Sequence, residues 1–249
     1  MVMPYYSYNS PSVSFGGPIT KSIRTLIAIN VLVFVLQWLT RAAGSSFIEA
    51  YFGLIPWRIT HEFMIWQFVS YMFLHDTHQL MHIFINMLTL YMFGNDLERA
   101  WGSKRFLTYY FVTGIGAGFC SFLLGVNSPT ATIGASGAIY GLLLAYGLLY
   151  PNRLVYLYFL FPIKVKWFVL FMGGLAFLFS VTGSEQGVSN IAHLGGILVG
   201  LVFLKGGAWI QRFQLYHAHR KREELKRQFE VYYGEVRRKI DDKNKTTIH

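Results

Sequence analysis

Apolar stretches recur six times along the 249-residue chain, at roughly 25–40, 79–95, 106–126, 133–150, 167–183 and 188–204, and a helix needs about 20 apolar residues to cross the hydrocarbon of a bilayer. Short polar segments separate them, which predicts helices joined by tight connections. The stretch Phe47 to Phe73 is also rich in aromatic residues. Pro56, Arg58, His61, Glu62 and Gln67 interrupt it. It therefore reads as a long loop with amphipathic pieces lying at the lipid–water interface. The pattern predicts an all-α membrane protein of six transmembrane helices. Residues 1–22 are expected to form a flexible leader, 23–204 the membrane core and 205–249 a basic tail.

The charges between the stretches orient them. Lys21 and Arg24 precede the first. Arg99, Lys104 and Arg105 fall between the second and third, and Arg153, Lys164 and Lys166 between the fourth and fifth. The tail opens with Lys205 and Arg212. If the spans alternate, all of these share one side. The other side receives Arg41 and Arg58, with no basic residue in Asn127–Thr132 or Ser184–Asn190. Basic loops stay cytoplasmic, so both termini are expected there. The fourth and sixth spans then begin at the outer face.

Composition agrees. Hydrophobic residues make up 53% of the chain and charged ones only 14%, against about 25% charged in a soluble domain. The formal net charge of +10 comes largely from the tail and the loops. A nucleic-acid interface would gather its basic residues on one folded polar face, and none is visible, so no nucleic-acid partner is expected. The tail segment Arg220 to Arg227 mixes signs at helical spacing, as suits an exposed helix, and its cations suit an anionic lipid surface. His217 and His219 lack the further ligands a metal site requires. The lone cysteine, Cys120, reads as a small buried hydrophobe. The run after Lys21 and Arg24 has no small-residue cleavage site behind it and reads as a retained anchor.

The chemistry is carried by polar residues at membrane depth, where such groups are costly and mark function. Ser136 lies in Gly134-Ala135-Ser136-Gly137, and His193 in Ala192-His193-Leu194-Gly195-Gly196. The proposed topology brings both to the outer ends of their spans, at similar depth. Gly137 and Gly141 form one G-x-x-x-G pair and Gly196 and Gly200 another. Such glycines let helix backbones approach closely, as a serine and a histidine on different helices must if they are to share a proton. The competing reading is simple helix packing. No Asp or Glu falls inside a proposed span, so catalysis would rest on a Ser–His dyad with packing in place of the acid. Tyr140, one turn after Ser136, offers a platform for the imidazole. His82 and Asn86, four residues apart on one face, can both donate hydrogen bonds. With the Ser136 amide they could hold an oxyanion, or else serve as interhelical glue. His75, His78 and His82 also suggest a metal, but the helix-borne H-E-x-x-H spacing is missing. No metal or other cofactor is expected. The soluble-hydrolase elbow G-x-S-x-G does not fit either, because Ala138 follows Gly137 and no strand precedes the serine.

Taken in order, His82-x-x-x-Asn86, Glu98-x-x-Trp101-Gly102-x-x-x-Phe106, Gly134-x-Ser136-Gly137 and Ala192-His193-Leu194-Gly195-Gly196 resemble the rhomboid intramembrane serine proteases over roughly Trp66 to Gly200. The resemblance implies a six-helix rhomboid-like bundle with a partly embedded first loop and a short serine helix that opens a hydrated cavity outward. It implies Ser136 as nucleophile and His193 as base, with His82, Asn86 and the Ser136 amide on the oxyanion and Tyr140 stacked on His193. Glu98 and Arg105 would be structural. The implied substrates are single-pass or other transmembrane proteins, cut in or beside the membrane. The setting expected is a bacterial inner membrane. Family members often carry Trp-Arg in the first loop, whereas here Gln67 follows Trp66. The segment Leu74 to Met81 is slightly long. Both differences bear on how the loop meets lipid. Inactive relatives lack the serine or the histidine; this chain keeps both. A non-catalytic membrane protein that binds transmembrane clients is the alternative.

Overall fold

The computed structural model describes residues 17–157, 161–182, 190–206, 225 and 233. Most of the leader and nearly all of the tail, with His217 and His219, lie outside these residues. So does most of the loop 184–190. The chain divides into two units, Met1–Phe203 and Leu204–His249, and the candidate site belongs to the first.

Helix α1 runs over Lys21–Ala42. The long loop that follows is built of short pieces: α2 (Phe47–Phe52), α3 (Pro56–Glu62) and α4 (Gln67–Ser70), the last tightening into a 3₁₀ turn at Tyr71–Phe73. Helix α5 (Leu80–Thr89) continues through a π turn, Leu90–Gly94, into α6 (Asn95–Trp101). Gly102, at φ +78°, occupies the left-handed region that glycine enters without cost, and so permits the turn into α7 (Ser103–Leu124). Helix α8 covers Ser136–Leu149, α9 Val165–Val181 and α10 Asn190–Gly206. A helix thus sits on each of the six apolar stretches. Two of them, α1 and α7, are long and apolar enough to cross a membrane; α8, α9 and α10 are shorter apolar helices.

One element departs from the all-α expectation. Leu154–Leu157 (β1) and Phe161–Lys164 (β2) pair antiparallel, Leu154 opposite Lys164 and Leu157 opposite Phe161. Branched and aromatic side chains such as Val155, Tyr156 and Phe161 favour extended backbone. In so short a connection the charges at its ends, Arg153 and Lys164, masked that signal.

Helix α8 is the centre of the bundle. Gly137, Ala138, Ile139, Gly141, Leu142, Leu143, Ala145 and Tyr146 are all buried. By contrast, large apolar side chains on α1 and α9 face outward, Leu32 at 60%, Leu170 at 64% and Phe171 at 61% exposure. Contiguous exposed apolar surface of this kind needs a non-aqueous neighbour. The two ends of α1 are tied down by polar residues. At its start the Glu98 carboxylate accepts from the amides of Ser22 and Ile23, at 3.1 and 3.2 Å, and from the hydroxyls of Ser103 (2.6 Å) and Thr20. A side chain of α6 thereby satisfies amides that a helix start leaves open. Near its other end Gln37, fully buried, donates to the His75 carbonyl and accepts from the His75 amide.

Gln67 lies fully buried within the first loop. It accepts from the Ile55 amide at 2.9 Å and donates to the Tyr51 carbonyl at 3.2 Å. Gln67 braces the loop from inside, where its amide satisfies backbone groups that lipid could not.

Candidate active site

Ser136 is the first residue of α8, so its amide is among those a helix leaves without an internal acceptor. The segment leading to it is held from the first loop. Leu54 and Thr132 exchange both backbone hydrogen bonds, at 3.0 and 2.8 Å, and the Gly134 amide donates to the Tyr71 carbonyl at 2.9 Å. Tyr71 in turn donates its hydroxyl to the Gly114 carbonyl of α7 at 2.6 Å. Gly134 adopts φ +121°, a conformation natural to glycine alone, so the expected start of the fourth span at 133 is corrected to Ser136. The bend keeps Gly134 and Ala135 out of the helix and frees the serine at its tip.

His193 reaches Ser136 from α10. Its Nε2 lies 2.7 Å from the Ser136 Oγ. Tyr140 stacks on the imidazole, ring centroids 4.3 Å apart and planes 11° from parallel. Among the described residues nothing accepts from His193 Nδ1. The two helices touch through backbone: a Cβ on Gly196 would stand 1.9 Å from the Gly137 carbonyl oxygen. The glycine pairs divide their labour differently from the expectation. Gly137 and Gly196 meet each other, whereas Gly141 packs on Thr113 and Gly200 on the Tyr109 hydroxyl. The reason is the crossing of α8 and α10. They are closest near Ser136, and α7 fills the space as they part.

His82, on α5, borders the same small volume. A methyl at Gly134 would lie 3.1 Å from His82 Nε2 and 3.7 Å from Ser136 Oγ. His82 Nδ1 accepts from the Asp76 amide at 3.2 Å. With Nδ1 engaged as acceptor, the neutral ring carries its proton on Nε2, the nitrogen facing Gly134. Asn86 sits one turn further along α5, buried, and donates one Nδ2 hydrogen to the His82 carbonyl at 2.7 Å. Its second amide hydrogen is left for another acceptor. His75 packs its ring against His82 at 5.2 Å. Its burial in the loop, with His82 beside it, holds its pKa down to about 3, so it is neutral. The His78 amide donates to the Asp76 carboxylate at 2.8 Å, and the residue is exposed. No group of three or more His, Cys, Asp or Glu side chains able to hold a metal occurs among the described residues. Cys120 is half-buried against Gly195.

The structure thus gathers Ser136, His193, Tyr140 and His82 around one space, with Asn86 on the neighbouring turn. A hydroxyl hydrogen-bonded to an imidazole is the pair that nucleophilic catalysis requires. Sequence reasoning passed over Tyr71, Gln37 and Asp76 and read Gln67 only as a polar interruption of the first loop; these residues place the others. Asp76 acts through its backbone amide, which no motif records. Tyr71 is one aromatic residue among many in its loop. The buried amides of Gln37 and Gln67 were the available signal.

A family model described as the Rhomboid domain matches residues 62–208. The rhomboid protease GluP of Bacillus subtilis is 32% identical over 177 residues, covering 70% of this chain and 32% of its own length. The rhomboid-like protease 5 of Toxoplasma gondii is 37% identical over 142 residues, 53% of this chain and 15% of its own. The rhomboid protease GlpG of Yersinia pseudotuberculosis serotype I is 27% identical over 214 residues, 80% of this chain and 67% of its own. The chain therefore spans a third or less of the first two relatives. The matched stretch takes in more than half of the chain and contains Ser136, His193, His82, Asn86 and Tyr140, and the chain belongs to the membrane-embedded rhomboid family.

Proposed function

We propose that this chain is an intramembrane serine endopeptidase that cuts transmembrane or juxtamembrane segments of other membrane proteins. The observation that carries the proposal is the 2.7 Å contact between Ser136 Oγ and His193 Nε2, two groups 57 residues apart, under a stacked tyrosine at a helix N-terminus. Ser136 attacks the scissile carbonyl and its proton passes to His193 Nε2. The oxyanion that forms meets the Nε2 proton of His82, the free amide hydrogen of Asn86 and the open amide of Ser136. The partial positive charge of the α8 N-terminus adds to this field. His193 returns the proton to the leaving amine, and water then releases the acyl-enzyme. Stacking on Tyr140 fixes the ring plane that an acid would otherwise set.

The six apolar helices, α5 to α6 counted as one, form the bundle. The loop charges set both termini in the cytoplasm, in the bacterial cell membrane we propose, with the site open to the outside. A carbonyl inside a substrate helix is shielded by its own hydrogen bond, so cleavage requires local unwinding, and small, helix-breaking residues beside the cut are favoured. Labelling with a fluorophosphonate and co-expression with a panel of single-pass proteins test the proposal. Wild type is expected to label and to produce fragments, and Ser136→Ala to remain folded and do neither. Fragments from purified Ser136→Ala, or a wild type that never labels, would overturn it and favour the client-binding reading.

A further inference from the structure

Asp96, buried on α6, gathers more of the molecule than any other carboxylate among the described residues except Glu98. Its Oδ1 accepts from Arg99 at 2.9 Å, and Arg99 also donates to the Pro18 carbonyl ahead of α1. Its Oδ2 accepts from the Tyr146 hydroxyl at 2.9 Å and from Arg153. Arg153 donates to the same hydroxyl at 2.7 Å, which closes a triangle, and lies over the Tyr150 ring at 4.7 Å. The backbone of Arg153 is engaged as well. Its carbonyl accepts from the Val165 amide, the first of α9, at 2.8 Å. Tyr146 also packs edge-on against Phe93 of the π turn.

These contacts join three helices at the end remote from the candidate site. Tyr146 and Ser136 are on α8; Asp96 and His82 share the continuous α5–α6 rod. At 1.5 Å per residue, the triangle stands roughly 15 Å from Ser136 along one rod and about 21 Å from His82 along the other. A helix is stiff along its axis. Slippage of α8 against α6 at this end is therefore delivered to the gap between Ser136 and His82.

We propose that Asp96, Tyr146 and Arg153 form a positioning latch, which sets the depth of the serine helix against the helix bearing His82 and anchors the root of α9. The proposal rests on the protease reading above. It assigns these residues no contact with substrate; they act through the placement of Ser136.

The test uses the full chain, purified and reconstituted. It reads the rate of fluorophosphonate labelling, kcat and KM on a transmembrane peptide, and thermal unfolding. Misplacement of reacting groups by about 1 Å can cost on the order of 10²-fold. Asp96→Asn and Arg153→Met are each expected to lower labelling and kcat at least tenfold, on the order such misplacement allows, with KM nearly unchanged. Because the groups act as a unit, the double variant should be no worse than the poorer single. Arg153→Lys, which keeps a cation for Asp96, should recover activity relative to Arg153→Met. Wild-type kcat in the folded single variants, or losses that multiply in the double, would overturn the latch. If the charge variants do not fold, Tyr146→Phe decides, since it removes only a hydroxyl: wild-type kcat there overturns the latch, and reduced kcat at unchanged KM supports it. A wild type that never labels at Ser136 would end the protease reading instead. The latch then rests on thermal unfolding, where additive losses at Asp96 and Arg153 overturn it.

Discussion

Replacing Gly196 with alanine tests the geometry on which the site depends. The new Cβ would stand 1.9 Å from the Gly137 carbonyl oxygen, 2.9 Å from its carbon and 3.4 Å from its Cα. All three neighbours are backbone, so no side chain can turn aside. Ordinary contact begins near 3.4 Å, so α10 and α8 must separate by more than an ångström at this crossing. Gly196 is one turn from His193 and Gly137 adjoins Ser136, so the Ser136–His193 contact of 2.7 Å opens by a comparable amount, beyond hydrogen-bonding reach. Overpacking of this kind costs about 1–3 kcal/mol of stability, which a folded bundle can survive. Misplacement of reacting groups costs about 10²-fold in rate. Gly196→Ala is therefore expected to fold with a lowered melting temperature and to lose about 10²-fold in peptide cleavage and in fluorophosphonate labelling. Gly174→Ala, on α9 with open space around it, is the control and should match wild type. Wild-type labelling and cleavage by Gly196→Ala would refute the claim that this backbone contact sets the dyad.

Two further outcomes separate packing from polar roles. Tyr140→Phe keeps the ring stacked on His193 and should cleave nearly as wild type, whereas Tyr140→Ala should lose on the order of tenfold, because an unsupported imidazole samples unproductive orientations; equal activities would remove the platform role. Burial alone would raise the Glu98 pKa, but the hydrogen bonds from Ser103, Thr20 and Ser22 outweigh it and bring it from 4.5 to about 2. A depressed carboxylate contributes stability that is complete above its unfolded pKa and is lost as pH falls through the folded one. Thermal unfolding should therefore show a loss of stability as pH falls from about 4.5 to about 2. Glu98→Gln should already be weakened at neutral pH and lose less over that window, and parallel curves for the two proteins would refute the assignment.

The hydrophobic pattern places the helices along the chain. Each of the six apolar runs carries one, because a segment without polar side chains can satisfy its backbone only internally. It also brought out Ser136 and His193, each set among glycines in such a run. The rest came from how the helices pack. The 3.6-residue period says which residues share a face, but not which face meets which helix. That is why Gly137 meets Gly196 while Gly141 and Gly200 turn to α7. The positive φ of Gly134 and the amide of Asp76 on His82 are backbone facts that leave no mark in residue identity. In one dimension Gln67 and Asp96 read as loop polarity, and Gln37 as one polar residue within the first apolar run. They become structural only when distant segments close around them, because a buried amide or carboxylate is tolerated solely where its partners have been brought to it.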